Sequence, residues 1–323
     1  MPLKHQVLKL NQDKNLERFI VACNVNPDLD GLACVYAYKE FLSKTGQEVG
    51  TMIFGRIHEE ARYLLDRFKI HFKNDEVDLS TAKIIIVDSS DLRGIDKSIN
   101  PKQVVEVIDH RQINDSHLFP NAKIQIELVG VAATLITEKF IECKISISFE
   151  SAILLYGAII SNTLNFKSST TTERDKKAVQ YLTQQHRLPA NLAEEMFLAK
   201  SDLSGDQLQK RINGDFAWFD LVGRKIGIAQ IEMIGAENLV YKRKDEILVE
   251  LKKAQERLDL DGVFLSAIEL KVGFNIFVSD SVDIQKILTQ VFGVEFVDSI
   301  AKRQGLIMRK EIVPLIKKYL DKN

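Results

Sequence analysis

The strongest constraint on this chain is an alternation. Through the first half, short β-branched runs are separated by stretches of helical period. "RFIVACNV", "EVGTMIFG", "AKIIIVDSSD", "VVEVIDHR" and "AKIQIEL" read as strands, and the third holds an unbroken apolar run from Ile84 to Val87. "GLACVYAYKEFLSKTG", closed by Gly46, "EEARYLLDRF" and "VAATLITEKFI" read as helices. Strands joined through helices need right-handed crossovers, which predicts an α/β fold with a mostly parallel sheet and helices on both faces. Ligands of such open sheets bind beyond the carboxyl ends of the strands. Asp88 and His110 fall at two of those ends, and the turn "NPDLDG" lies just past a third.

At 323 residues the chain is long for one core, so two domains are expected. From about Phe149 the pattern turns helical, through "FESAILLYGAIISNTLNF", "TERDKKAVQYLTQQH" and "NLAEEMFLAKS". The polar stretch 201–214 has no strong apolar period and is expected to be a linker between residues 1–200 and 215–323. Beyond it "FAWFDLVG" and "RKIGIAQIEMIG" predict a hairpin, and "LVYKRKDEILVELKKAQERL" one long charged helix. "GVFLSAIELK" and "GFNIFVSD" predict a strand pair, and "VDIQKILTQVFG" and "IVPLIKKYLDKN" two closing helices. The second domain is therefore expected to be a smaller α/β unit with a mixed sheet.

A net charge of −1 gives no overall field to recruit nucleic acid or an anionic membrane, so an anionic substrate needs local positive charge or metal. The lone Trp218 and scattered aromatics form no base-stacking stripe, so nucleic acid is not an expected partner. Cys23, Cys34 and Cys143 are odd in number and widely spaced, which suits a reducing compartment. The polar start (Lys4, His5, Lys9, Asn11, Asp13) lacks the apolar core of a signal peptide. No apolar run approaches the roughly 20 residues that span a bilayer. A cytoplasmic protein without membrane contact is the expectation.

In "NVNPDLDG" Asp28 and Asp30 can direct two carboxylates into one small volume at a strand-to-helix turn. Paired carboxylates repel unless a cation or proton neutralises them, so the turn is a natural divalent-metal site. A polar turn with Asp30 as helix N-cap is the plainer reading of the segment alone. A calcium loop fails, because Ala37 stands where the twelfth-position Glu belongs and a strand precedes the turn. A haloacid-dehalogenase reading leaves "VDSSD" and "IDHR" unexplained, and a second "DLDG" at 259–262 follows a helix. Asp88 closes an apolar strand, where a carboxylate is costly unless compensated. His110 alone of six histidines directly follows a buried strand and an Asp, Asp109.

Together "NPDLDG…VDSSD…DHR" resembles the DHH phosphoesterase superfamily. "GRIHEEARYLL", "VGVAATLI", "AIISNTLNFKSSTTTERD" and "VFGVEFVDSIAKRQGLIMRKEIVPLI" are similar to segments of its branch of family II inorganic pyrophosphatases, exopolyphosphatases and prune-like proteins. The resemblance implies a metal-binding catalytic domain at 1–200 and an accessory substrate-closing domain at 215–323. It implies a dinuclear metal site at Asn24, Asp28, Asp30, Asp88, His110 and Asn162, with Asp88 bridging two ions and Asp88, His110 and Arg111 in the chemistry. Magnesium or manganese, with cobalt as a third choice, would activate water against a phosphoanhydride of pyrophosphate or short polyphosphate. Asn24 and Asn162 replace a family His and Asp, and Arg111 the second His of the motif. Fewer imidazoles favour a harder ion such as magnesium. Arg111 can clamp phosphate but cannot serve as an acid at neutral pH.

In the second domain Arg309 and Lys310 are the expected phosphate-binding cations, while Met308 removes one the family carries. Leu198 stands where the family has a Lys, with Lys200 two residues on. The alternatives are a regulatory protein with a weakened site, which Asn24, Asn162 and Met308 would suit, or a nucleotide phosphodiesterase of the same superfamily. The small phosphate-containing substrate is the expected partner, together with a possible second copy in a homodimer.

Overall fold

The structure is a computed structural model that describes residues 18–111, 114–201 and 203–322; the polar residues Lys4 to Asp13 lie outside the described residues. The chain divides into two compact units, one of residues 1–162 and 172–189, the other of 163–171 and 190–323.

The first unit runs β1 (Phe19–Ala22), α1 (Leu29–Lys44), β2 (Val49–Met52), α2 (Glu59–Phe68), β3 (Lys83–Val87), β4 (Val104–Asp109), β5 (Lys123–Ile126), α3 (Ala132–Cys143), α4 (Phe149–Asn162) and α5 (Glu173–Gln185). Its sheet has the order β2-β1-β3-β4-β5, and every pairing is parallel. The apolar runs at β1 and β3 are thereby explained, since strands in the middle of a parallel sheet are covered on both faces. One face packs Ile20, Ala22, Ile84 and Ile86 against Ile95, Ile99 and Phe119 from the crossovers. Alternation along the strands turns Val21, Ile85 and Val87 the other way, toward the side on which α1 and α3 pack. The order puts β1, β3 and β4 side by side, so "NPDLDG", Asp88 and His110 issue from three neighbouring strands.

The second unit runs α6 (Leu192–Ala199), α7 (Gln207–Gly214), β6 (Phe216–Leu221), β7 (Arg224–Met233), α8 (Ala236–Lys242), α9 (Lys244–Leu258), β8 (Gly262–Glu269), β9 (Phe274–Val278), α10 (Val282–Phe292), β10 (Ile300–Gln304) and α11 (Arg309–Leu320). Its sheet is mixed, in the order β10-β9-β8-β7-β6: β7 and β8 are parallel and the other pairings antiparallel. Ala229, Ile231, Val263 and Leu265 face Leu208, Ile212, Val240 and Leu251 on one side. Ile226, Ile228, Phe264 and Phe277 face Ile284, Leu288, Ile312 and Ile316 on the other.

Three elements differ from the sequence expectation. The stretch 201–214 carries α7, whose only buried residues are Leu208 and Ile212, too few to give a readable period. The long charged helix is two, because Arg243 leaves helical geometry (φ −120°, ψ 25°) between α8 and α9. β10 was not expected, since an edge strand of mostly exposed Lys302, Arg303 and Gln304 shows little apolar alternation. No helix among the described residues is long and apolar enough to cross a membrane.

Candidate metal centre

The rim of the first sheet is built from three strand ends. After β1 the chain turns through Asn26, in a left-handed conformation (φ 54°) and tied to Phe54 O through its N–H, and Pro27 leads into α1. Asp28 is the α1 N-cap, accepting from Gly31 N at 3.1 Å. The plainer cap reading therefore belongs to Asp28, and Asp30 is released for another task. Asp30 is fully buried, and its two oxygens accept from Ala132 N and Ala133 N, both at 2.9 Å, at the start of α3. A helix N-terminus is a favourable seat for an anion.

Asp88 also takes a left-handed conformation (φ 54°), one that Asp tolerates better than bulky residues, and its N–H is fixed to Ile108 O at 2.8 Å. His110 Nδ1 lies 3.2 Å from the Val129 carbonyl. A carbonyl can only accept, so Nδ1 carries the proton and Nε2 is the nitrogen that faces the acids. Nε2 stands 3.6 Å from Asp88 Oδ1 and 3.8 Å from Asp30 Oδ2. Ligand atoms of Asp30, Asp88 and His110 all lie within 4.8 Å of one another. Arg111 borders them, its guanidinium 3.6 Å from Asp88 Oδ1 and 3.8 Å from Asp109 Oδ2. Asp109, buried beneath, accepts from the Ser90 hydroxyl and from His110 N.

Electrostatics at this rim are unbalanced. Burial, then Asp88 and Glu60, push the Asp28 carboxyl up to about 6. Burial and Asp88 push Asp30 well above the ordinary carboxylate range. At Asp88 burial acts upward too, but Arg111 and His110 outweigh it and hold the carboxyl low. Burial draws His110 down, yet Asp88 and Asp30 carry it above its ordinary value. Carboxylates this close do not ionise together without a cation among them.

The donors present fit a divalent ion. Asp88 Oδ1 and Asn24 Oδ1 are both buried without a hydrogen-bond partner. Such an orphaned acceptor costs about 1–3 kcal/mol, more when charged. A Cβ at Gly31 would stand 2.8 Å from Asn24 Oδ1, so only glycine leaves this oxygen its place. An oxygen-rich set with one imidazole is the donor chemistry of manganese or magnesium.

The structure gathers Asp30, Asp88 and His110, sets Arg111 against Asp88, and brings Asp28 close enough for Asp88 to raise its carboxyl. Asn162 is the last residue of α4, next to Ser161, whose hydroxyl donates to Glu60 at 2.6 Å. In the second unit Lys200 is 4% exposed and paired with Glu232 at 2.8 Å, while Arg309 pairs with Asp215 at 2.6 Å and Lys310 is exposed. The Val129 carbonyl and the α3 N–H groups are backbone atoms without a residue-type signal, and the sequence marks Asp109 only as the neighbour of His110.

Two family models match the chain: the DHH family, N-terminal domain, over residues 18–159, and the DHHA2 domain over residues 194–319. The Clostridium acetobutylicum "probable manganese-dependent inorganic pyrophosphatase" is 30% identical over 293 residues, covering 90% of this chain and 94% of its own length. The chain belongs to the DHH phosphoesterase family. The manganese-dependent inorganic pyrophosphatase of Methanothrix thermoacetophila is 29% identical over 95% of this chain and 99% of its own. The solved Methanococcus jannaschii "putative family II inorganic pyrophosphatase" superimposes with a TM-score of 0.76 at 24% identity, over 94% of this chain and 99% of the other, and shares the fold. The DHH match spans the candidate site residues from Asn24 to Arg111.

Proposed function

We propose that this DHH-family chain is a metal-dependent inorganic pyrophosphatase, with Asn24, Asp28, Asp30, Asp88, His110 and Asn162 as its metal donors. The observation that carries the reading is the pair of orphaned buried oxygens, Asp88 Oδ1 and Asn24 Oδ1, at a rim where the His110 Nε2 also faces inward. Manganese is the working ion, supported by the names of the relatives, and magnesium and cobalt are its competitors.

When bound, divalent ions supply Lewis acidity, lowering the pKa of water and neutralising charge on the phosphoryl oxygens. The chain does the rest. Asp30, locked to the start of α3, and Asp88, locked at the end of β3, present oxygens from fixed backbones. The Val129 carbonyl holds the proton of the neutral His110 ring on Nδ1, which leaves Nε2 aimed at them. Arg111 holds its charge at any physiological pH, and its five N–H donors outnumber its contacts with Asp88 and Asp109. We assign it to gripping a phosphate oxygen rather than to proton transfer. In the second unit Arg309 and Lys310, at the start of α11, are assigned to phosphate binding; Lys200 would have to exchange Glu232 for phosphate. The three free cysteines support a cytoplasmic setting.

Phosphate release from pyrophosphate, tripolyphosphate and a dinucleotide, each with Mn2+, Mg2+ or Co2+, tests the reading. Fastest turnover of pyrophosphate with Mn2+ is expected. Hydrolysis of the dinucleotide alone would move the activity to a phosphodiesterase, and metal binding without any turnover would remove the catalytic assignment.

A further inference from the structure

Asp175 lies in the first turn of α5, outside the acidic rim and fully buried. Its Oδ2 accepts from Gly130 N at 3.1 Å, Thr172 N at 2.6 Å and the Thr172 hydroxyl at 2.8 Å. Its Oδ1 accepts from the Thr134 hydroxyl at 2.6 Å. The Thr172 bonds are the ordinary work of a helix capping box. The other two reach a different part of the unit.

Gly130 and Thr134 mark out a short segment with two tasks at the metal centre. Just before Gly130, the Val129 carbonyl takes the Nδ1–H of His110. Just before Thr134, the N–H groups of Ala132 and Ala133 hold the two oxygens of Asp30. Val131, the N-cap of α3, is extended (φ −162°) and makes no side-chain cap, so Asp30 takes the place a cap would fill. Two of the three gathered donors thus take their orientation from one segment, and Asp175 fastens both of its ends.

We infer that Asp175 is a positioning residue of the metal centre, fixing the 129–134 segment and through it the His110 ring and the Asp30 carboxylate. The inference rests on reading Asp30 and His110 as metal donors. Losing an outer partner of a metal ligand lowers affinity by roughly ten- to a hundredfold. The geometry also distinguishes three substitutions. Asp175→Ala removes every bond. Asp175→Asn keeps an oxygen for Gly130 and offers an amide to the Thr134 oxygen, whose hydroxyl can turn to accept. Thr172→Ala breaks the α5 cap and leaves the segment fastened.

The experiment is Mn2+ titration of the full-length protein, followed by electron paramagnetic resonance, with thermal unfolding in chelator alongside. Asp175→Ala is expected to weaken Mn2+ binding about tenfold or more, Asp175→Asn to restore most of it, and Thr172→Ala to lower Tm without moving Mn2+ affinity. Unchanged affinity in folded Asp175→Ala overturns the inference, as does an equal loss in Thr172→Ala. Should Asp175→Ala not fold, Thr134→Val carries the same test, and unchanged affinity there is equally fatal. Long-range proton–nitrogen spectra of metal-free protein add a readout that needs no ion. The neutral His110 ring is expected to keep its proton on Nδ1 in wild type and Asp175→Asn, and to mix tautomers in Asp175→Ala. That pattern in a wild type that binds no Mn2+ would sink the metal reading and leave the positioning role standing.

Discussion

The rim of the first sheet and the cations of the second unit handle charge in opposite ways. At the rim Asp28, Asp30 and Asp88 crowd together, and acceptor atoms of Asp88 and Asn24 are buried without hydrogen-bond partners. In the second unit Lys200 meets Glu232 and Arg309 meets Asp215, each at hydrogen-bond distance. The start of α11 is likewise satisfied from within, since Glu311 accepts from Met308 N at 3.0 Å and from the Ser169 hydroxyl. The charges of the second arrangement are paired within the fold, whereas the first leaves buried acceptor oxygens without a hydrogen-bond donor. The difference separates acceptors left open toward a ligand from charges already paired within the fold.

The comparison can be broken most sharply at Asp88. Asp88→Asn, chosen because Asn also tolerates a positive φ, is expected to abolish Mn2+ binding and to cut turnover about a thousandfold, equivalent to roughly 4 kcal/mol. Retained Mn2+ binding by calorimetry would mean that the rim was complete without the ion. Next comes Lys200. Lys200→Met leaves Glu232 in a largely buried position, and denaturant unfolding is expected to show a loss of about 3 kcal/mol, with Mn2+ affinity unchanged. Adding Glu232→Gln is expected to recover much of that loss. Saturating Mn2+ at a hundred times its Kd will stabilise the wild type by about 2.7 kcal/mol over chelated protein, and will do nothing for Asp88→Asn. The smallest effect is assigned to Arg309→Ala, a rise in KM of about tenfold with the Mn2+ isotherm unmoved. A change in the isotherm would tie that arginine to the metal centre.

Much of this candidate site is legible because its proposed donors stand where sequence is most informative. Asp88 follows an unbroken apolar run, and His110 follows the mostly apolar strand VVEVID, so each announces a strand end. The pair in "NPDLDG" was legible as a turn, but not the division of labour within it: the structure gives the cap to Asp28 and sends Asp30 to α3. That assignment depends on Ala132 and Ala133, about a hundred positions away, and no local pattern encodes a partner so distant. The Val129 carbonyl is invisible for a simpler reason, because every residue has one. In the fold, the parallel sheet follows from alternation of strand and helix. The break at Arg243 does not, since good helix formers lie on both sides of it.

The placement of β1, β3 and β4 side by side also sets an order of events. Asp30, Asp88 and His110 come from three separate connections, β1 to β2, β3 to β4 and β4 to β5, so no fragment short of the paired sheet holds them together. Non-local strand pairing is slow compared with helix formation. In a refolding reaction the helical signal will therefore precede any response to Mn2+. Binding of the ion becomes a clock for topology, striking only once all three strands lie in register.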